Sequence, residues 1–194
     1  MNVRIIAGTY GGRTIQAPDG NRTHPMSERV RNALFNSLHD QIKDAVVLDA
    51  FAGTGALGIE ALSRGAKKVV FIERDRVAQK VLAENINLLG IGDQAKLVKA
   101  PVASWLSTYD GEKFDVIFAD PPYHDTQFST VAKLAKYLRP EGLMILSYPG
   151  RETVPDLDGV VVVDNRIYGE AALALFLLDS SKNNLADDTI SAKM

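Results

Sequence analysis

Val46-Val47-Leu48-Asp49-Ala50-Phe51-Ala52-Gly53-Thr54-Gly55-Ala56-Leu57-Gly58 decides how the rest of the chain is read. An apolar run ending in an acid predicts a buried strand over 46–49. The glycines then allow a tight turn, and 55–64 predicts a helix closed by Gly65. Outward from this unit the alternation repeats: strand 68–73, helix 76–89 closed by Gly90, strand 95–99, helix 102–107, strand 115–119, helix 126–138 and strand 143–147. Repeated βα units force a mostly parallel sheet with right-handed crossovers and helices on both faces. The segments 160–164 and 171–178 lie around Tyr168-Gly169 with a turn and no helix between them, which predicts an antiparallel hairpin ending the sheet.

The turn at 49–58 carries chemistry as well as geometry. Glycines let backbone pass close to a bulky ligand, and the helix behind offers unpaired N–H groups. Glu73 ends the next strand, eighteen residues beyond Gly55, where a carboxylate can accept both hydroxyls of a ribose. A nucleoside site is expected. Gly53, Gly55 and Gly58 also satisfy Gly-x-Gly-x-x-Gly, so a nicotinamide dehydrogenase is a reading to be weighed.

A second candidate site follows Phe114-Asp115-Val116-Ile117-Phe118-Ala119. Two prolines in Asp120-Pro121-Pro122-Tyr123 stop that strand, because proline continues neither a ladder nor a helix. An acceptor, Asp120, and an aromatic face, Tyr123, are thereby presented at a strand's carboxyl end, where open α/β sheets bind ligands.

Composition narrows the class. With 194 residues, 46% of them hydrophobic, the chain suits one domain with a short extension. It has no cysteine, and its three histidines form no His-x-x-x-His pair, so disulfides, thiolate sites and zinc are not expected. The start has no long apolar core and no run approaches a membrane span, which predicts a soluble, cytoplasmic protein. Net charge is −2, yet residues 1–31 hold Arg4, Arg13, Arg22, Arg29 and Arg31 against Asp19 and Glu28, five minus two or +3. That bias fits a phosphate-binding surface and equally an ordinary solvated face. Segments 3–6 and 13–16 predict a small hairpin, 17–25 a loop, and Ser27 caps a helix with Val30, Ala33, Leu34 and Leu38 on one face.

Taken together these stretches resemble the RsmD-like methyltransferases, which methylate the exocyclic N2 of a guanine in bacterial 16S ribosomal RNA. The likeness is carried by Arg4-Ile5-Ile6-Ala7-Gly8 with Gly12-Arg13, by His24 to Asn36, by Leu48 to Ala66, by Phe71-Ile72-Glu73, by Asp120 to Tyr123 and by Tyr168-Gly169. The tetrapeptide alone is similar to the Asp/Asn-Pro-Pro-aromatic motif of amino-group methyltransferases generally. Two departures stand out. The family commonly reads Arg-Pro-Thr-x-Asp-Arg where this chain has Thr23-His24-Pro25-Met26-Ser27-Glu28-Arg29, and it often has a glutamate where Ser147-Tyr148-Pro149 follows the fifth strand.

The resemblance implies a Rossmann-like class I methyltransferase fold, with a seven-stranded, mostly parallel sheet whose last strand is antiparallel. It divides the chain into an N-terminal hairpin and helix extension (1–44), the methyltransferase domain (45–178) and a disordered tail (179–194). It implies S-adenosyl-L-methionine as cofactor, held by Asp49, Phe51, Gly53, Thr54, Gly55, Glu73 and Ala100; Asp49 would serve its methionine portion. The segment from Ala100 would cradle adenine, although Pro101 reads equally as a plain helix start. Asp120, Pro121 and Tyr123 would be catalytic. Arg4, Arg13, Arg29 and Arg31 would hold RNA phosphates, with Met26 and Phe35 as candidate covers of the cofactor, although an apolar helical residue is more often simply core. His24 and His124 have no assigned role, and Tyr10, Trp105 and Tyr168 read as packing more readily than as stacking platforms. The partner would be 16S rRNA or the small subunit, met by a monomer without metal. Two other readings are open: an adenine-N6 methyltransferase of DNA or RNA, and a non-catalytic RNA-binding ribosome-assembly factor.

Overall fold

A computed structural model describes residues 2–18 and 26–179. His24 and the expected tail beyond Asp179 lie outside the described residues. The chain opens with strands β1 (Asn2–Arg4) and β2 (Thr14–Gln16), paired antiparallel as a two-stranded sheet. Helices α1 (Glu28–Ser37) and α2 (His39–Ile42) follow; the single expected helix is broken at Leu38, and the Ser27 hydroxyl accepts from Val30 N–H as its cap. Then come β3 (Val46–Asp49), α3 (Ala56–Ser63), β4 (Lys68–Glu73), α4 (Arg76–Leu89), β5 (Ala95–Lys99), α5 (Val102–Leu106), β6 (Phe114–Ala119) and α6 (Phe128–Leu134). After one 3-10 turn, β7 (Leu138–Pro149), β8 (Val160–Tyr168) and β9 (Ala171–Leu178) complete the chain.

Seven strands form one sheet in the order β5-β4-β3-β6-β7-β9-β8. The first five in that order are parallel; β9, the last strand in sequence, runs antiparallel between β7 and β8. This is the expected α/β architecture with its antiparallel last strand and N-terminal hairpin. Strand β7 begins five residues earlier than expected, because Leu138 pairs with Phe114 before a register shift lets Leu143 meet Val116.

Alternate residues along each strand supply two cores. Val47, Phe71, Val116 and Phe118 face one side, with α1, α3, α4 and the hairpin; Leu48, Ile72, Ile117 and Met144 face the other, with α5 and α6. The hairpin shares the first core through Val3, Ile5 and Ile15, so it packs onto the sheet instead of standing off it.

Polar side chains fasten the hairpin as well. Glu60, fully buried on α3, accepts the Ile6 N–H at 2.8 Å and the Ala7 N–H at 3.1 Å. Ser63 Oγ accepts from Tyr10 N–H at 2.9 Å, and buried Asn85 on α4 pairs with both backbone groups of Gln16. The fit is close: at Gly8, with φ +81°, a Cβ would lie 1.7 Å from the Ser63 carbonyl oxygen, so only glycine lets the loop between β1 and β2 approach α3 there.

Candidate active site

The chain runs from β3 outward through β4 to β5, then returns to lay β6 on the other side of β3. At such a switch point the loops leaving two adjacent parallel strands diverge and leave a crevice at their carboxyl ends. A cavity of about 780 Å³ opens there, and both sequence-predicted sites face it. Among residues expected to hold a cofactor, Phe51, Gly53, Thr54, Glu73 and Ala100 line it. Asp120, Pro121 and Tyr123 line the same cavity.

Two expected ligand-holding residues are placed differently. Asp49 is 1% exposed and sits behind the lining, where its Oδ2 accepts the Gly58 N–H at 3.0 Å and so caps the first turn of α3. Gly55, with φ +80°, gives way to the core: a Cβ there would come 2.3 Å from Leu82 Cδ1. Its missing side chain makes room for α4 instead of for a ligand.

Glu73 is already engaged. Its Oε2 accepts the Gly53 N–H at 2.7 Å and its Oε1 the Asp75 N–H at 2.6 Å, which locks the glycine turn to the end of β4. A carboxylate has about four acceptor positions, so each oxygen can still take a hydroxyl from the cavity side. Asp120 follows β6 half-buried, and its carboxyl is pushed up to about 6 by burial, against a hydrogen bond from Ser147 that pulls it down. Burial raises Asp49 to about 7, with Asp120 and Glu73 adding repulsion. Asp49 Oδ1 is buried with no hydrogen-bond partner among the described residues. The cavity end of the sheet thus gathers three carboxyl groups and favours a cationic ligand.

This electrostatic debt has a measurable consequence in the ligand-free protein. From about pH 4, the ordinary aspartate value, up to about 7, folded Asp49 keeps a proton that the unfolded chain has lost. Its contribution to stability is therefore complete below that window and declines as pH rises through it. Asp49→Asn should flatten the decline, read as urea midpoints at several pH values; an unaltered slope would contradict the burial of this charge.

The four arginines expected to hold phosphates differ. Arg31 is 1% exposed: Nη1 donates to Met26 O at 3.0 Å, Nη2 to Arg4 O, and Nε lies 4.0 Å from Glu60. It serves as an internal pin, and the expectation that it reaches RNA is corrected. Arg4 is exposed but paired with Glu28, while Arg13 donates to Leu88 O at 3.0 Å and lies over the Tyr10 ring. Arg29 is exposed on the first turn of α1, beside Met26 and Ser27, which line the cavity. None of the four arginines lines it.

Met26 borders the cavity, and Phe35 is core, tilted against Phe118 at 5.5 Å. Trp105 belongs to an aromatic cluster with Tyr109, Tyr137 and Phe114 on the far core. His124 and Tyr168 line the cavity. Ser147, singled out in the sequence only as part of a departure from the family's pattern, has a partner that sequence reasoning missed. Only 3% exposed, it places its Oγ 3.1 Å from Tyr123 Oη. Besides that departure, its sequence signal is a small polar side chain following the apolar run Leu143-Met144-Ile145-Leu146. Among the described residues no helix is long and apolar enough to cross a membrane, and no group of three or more His, Asp or Glu could hold a metal.

Comparison with known proteins joins these features to a family. The model of a family described as "Conserved hypothetical protein 95" matches residues 3–177. Ribosomal RNA small subunit methyltransferase D of Escherichia coli (strain K12) is 42% identical over 121 residues, 62% of this chain and 60% of that protein. Its Haemophilus influenzae counterpart of the same name is 40% identical over 124 residues, covering 63% and 64%. In both cases the aligned stretch spans less than two thirds of the relative's length. The solved structure of yhhF from Escherichia coli is 33% identical with a TM-score of 0.83, covering 93% of this chain and 99% of that one.

Proposed function

The chain belongs to the Conserved hypothetical protein 95 family of RsmD-like methyltransferases, and on that premise we propose that it methylates the exocyclic N2 of a guanine in small-subunit ribosomal RNA, using S-adenosylmethionine. One observation carries the reading: the glycine turn, Glu73, Asp120 and Tyr123 border a single cavity at the switch point of the sheet.

The residues present fit the cofactor. Its sulfonium and amino groups are cationic, which suits a cavity end carrying Asp49, Glu73 and Asp120. Phe51, Ile72 and Val102 offer an apolar wall for adenine, and the free acceptor positions of Glu73 suit ribose hydroxyls. When bound, the cofactor supplies an electrophilic methyl group on sulfur.

The chain's own residues do the rest. The lone pair of a guanine amino group is delocalised into the ring, so the task is to localise it. The Asp120 carboxylate and the Pro121 carbonyl accept hydrogen bonds from the N2 protons, and Tyr123, 42% exposed, stacks on the base and sets its plane. The base must leave its stack to reach them. Arg29, on the first turn of α1, with Arg4 and Arg13 on the hairpin, would hold the surrounding phosphates.

Labelled methyl transfer to small ribosomal subunits from a strain lacking the corresponding gene tests this, with products identified by nucleoside mass spectrometry. N2-methylguanosine is expected. Label in N6-methyladenosine, or cofactor binding without transfer, would replace the reading by an adenine methylase or an assembly factor.

A further inference from the structure

Strand β7 carries one serine inside the run Leu143-Met144-Ile145-Leu146-Ser147-Tyr148. Ser147 is only 3% exposed where it borders the cavity, and a buried hydroxyl left unpaired there would cost about 1–3 kcal/mol. The register explains where it goes. Ala119 of β6 lies opposite Leu146 of β7, so Asp120 leaves the sheet alongside Ser147. Tyr123, three residues on, turns back and brings its Oη to 3.1 Å from Ser147 Oγ.

Hydrogen-bond capacity sets the direction. Serine has one proton, and an ionised carboxylate only accepts. The β6–β7 register sets Ser147 beside Asp120, where its proton can only be donated to that carboxylate, and the Tyr123 hydroxyl then donates to Ser147.

We propose that Ser147 is a positioning residue that ties the Tyr123 ring to the Asp120 carboxylate, so that the aromatic plane and the acceptor meet the target base as one unit. The roles of Asp120 and Tyr123 rest on the reaction proposed above; the tether itself does not. Tyr123 is exposed enough to swing freely on its loop, and a stacking face that swings must be ordered by the substrate at an entropic cost. The hydroxyl chain orders it beforehand. The same bond opposes the effect of burial on Asp120. The other titratable or charged groups that border the same cavity are Glu73, Arg74 and Asp75 at and just after the end of β4, His124 on the loop of Asp120, and Tyr168 and Glu170 at the β8–β9 turn, with Asp49 behind the end of β3.

Two variants test the tether, Ser147→Ala and Tyr123→Phe, which keeps the ring and removes only its hydroxyl. Turnover at saturating RNA should fall by about 10–100-fold in Ser147→Ala, with cofactor affinity retained, as for a reacting group displaced by a fraction of an ångström. Ser147→Thr should recover most of it. The double variant should be no slower than Ser147→Ala alone, because both break one chain. Carboxyl-carbon NMR gives a readout independent of activity: the Asp120 midpoint should rise in Ser147→Ala, and Tyr123 ring signals should report greater motion. Multiplicative effects of the two changes, or an Asp120 midpoint and a Tyr123 ring both unmoved by Ser147→Ala, would overturn the tether. If the parent protein transfers no methyl to rRNA, the functional reading fails and the NMR comparison still decides the tether.

Discussion

Replacing Asp120 by Ala should cut methyl transfer to small-subunit rRNA by about 10²–10³-fold while weakening S-adenosylmethionine binding by less than about tenfold. The asymmetry follows from position. Asp120 borders the cavity from the β6 side, whereas the glycine turn and Glu73 border it from β3 and β4. On the proposed reaction, removing the carboxylate deletes the acceptor that faces the amino group as it becomes cationic, an interaction strongest in the transition state. Asp120→Asn keeps one acceptor oxygen in nearly the same volume, so it should fall between Asp and Ala. Single-turnover transfer and calorimetric cofactor binding separate the two effects. Equal loss of both would mean that Asp120 holds the cofactor and that another group localises the lone pair.

Glu60→Ala should lower the melting temperature by about 6–20 °C, from a cost of about 3–5 kcal/mol for breaking a buried ionic cluster in a domain of this size. Glu60 is fully buried and accepts from Ile6 N–H, Ala7 N–H and Arg64 Nε, the last at 2.7 Å. Arg31, also buried, has its guanidinium 4.0 Å away and its pKa pushed down by burial. Alanine would leave two backbone donors and a buried cation without their carboxylate. Because Arg31 Nη1 holds the carbonyl of Met26, which borders the cavity, cofactor affinity should weaken as well, although Glu60 does not line it. Glu60→Gln keeps one acceptor oxygen and should lose less. An Ala variant that melts with the parent would remove the pin from the account of how the N-terminal segment is held.

Much of this molecule is readable because its signals are local. Strand β3, its glycine turn and α3 follow from an apolar run, an acid and glycines within about twenty residues, and the stop after β6 follows from two prolines. Asp120 and Tyr123 were legible for the same reason, as was Glu73 at a strand end. Arg31 was not: a charged residue in a helix with an arginine two positions before it looks like surface until the contacts of its guanidinium are known. Asp49 shows the opposite case, a residue singled out for a ligand whose side chain does local work, capping α3 through Gly58.

The sequence by itself determined the βα alternation, the carboxyl edge on which the chemistry is displayed, the closing hairpin and the family. Only the tertiary structure decided that β9 enters between β7 and β8, that Glu60 receives the hairpin from 54 positions away and that Ser147 meets Tyr123 across 24. The physical reason is range. Periodicity, capping and turn chemistry act between near neighbours and leave their mark in composition, whereas a buried polar contact between distant segments is specified by strand order and register, and a single serine or glutamate carries no trace of its partner.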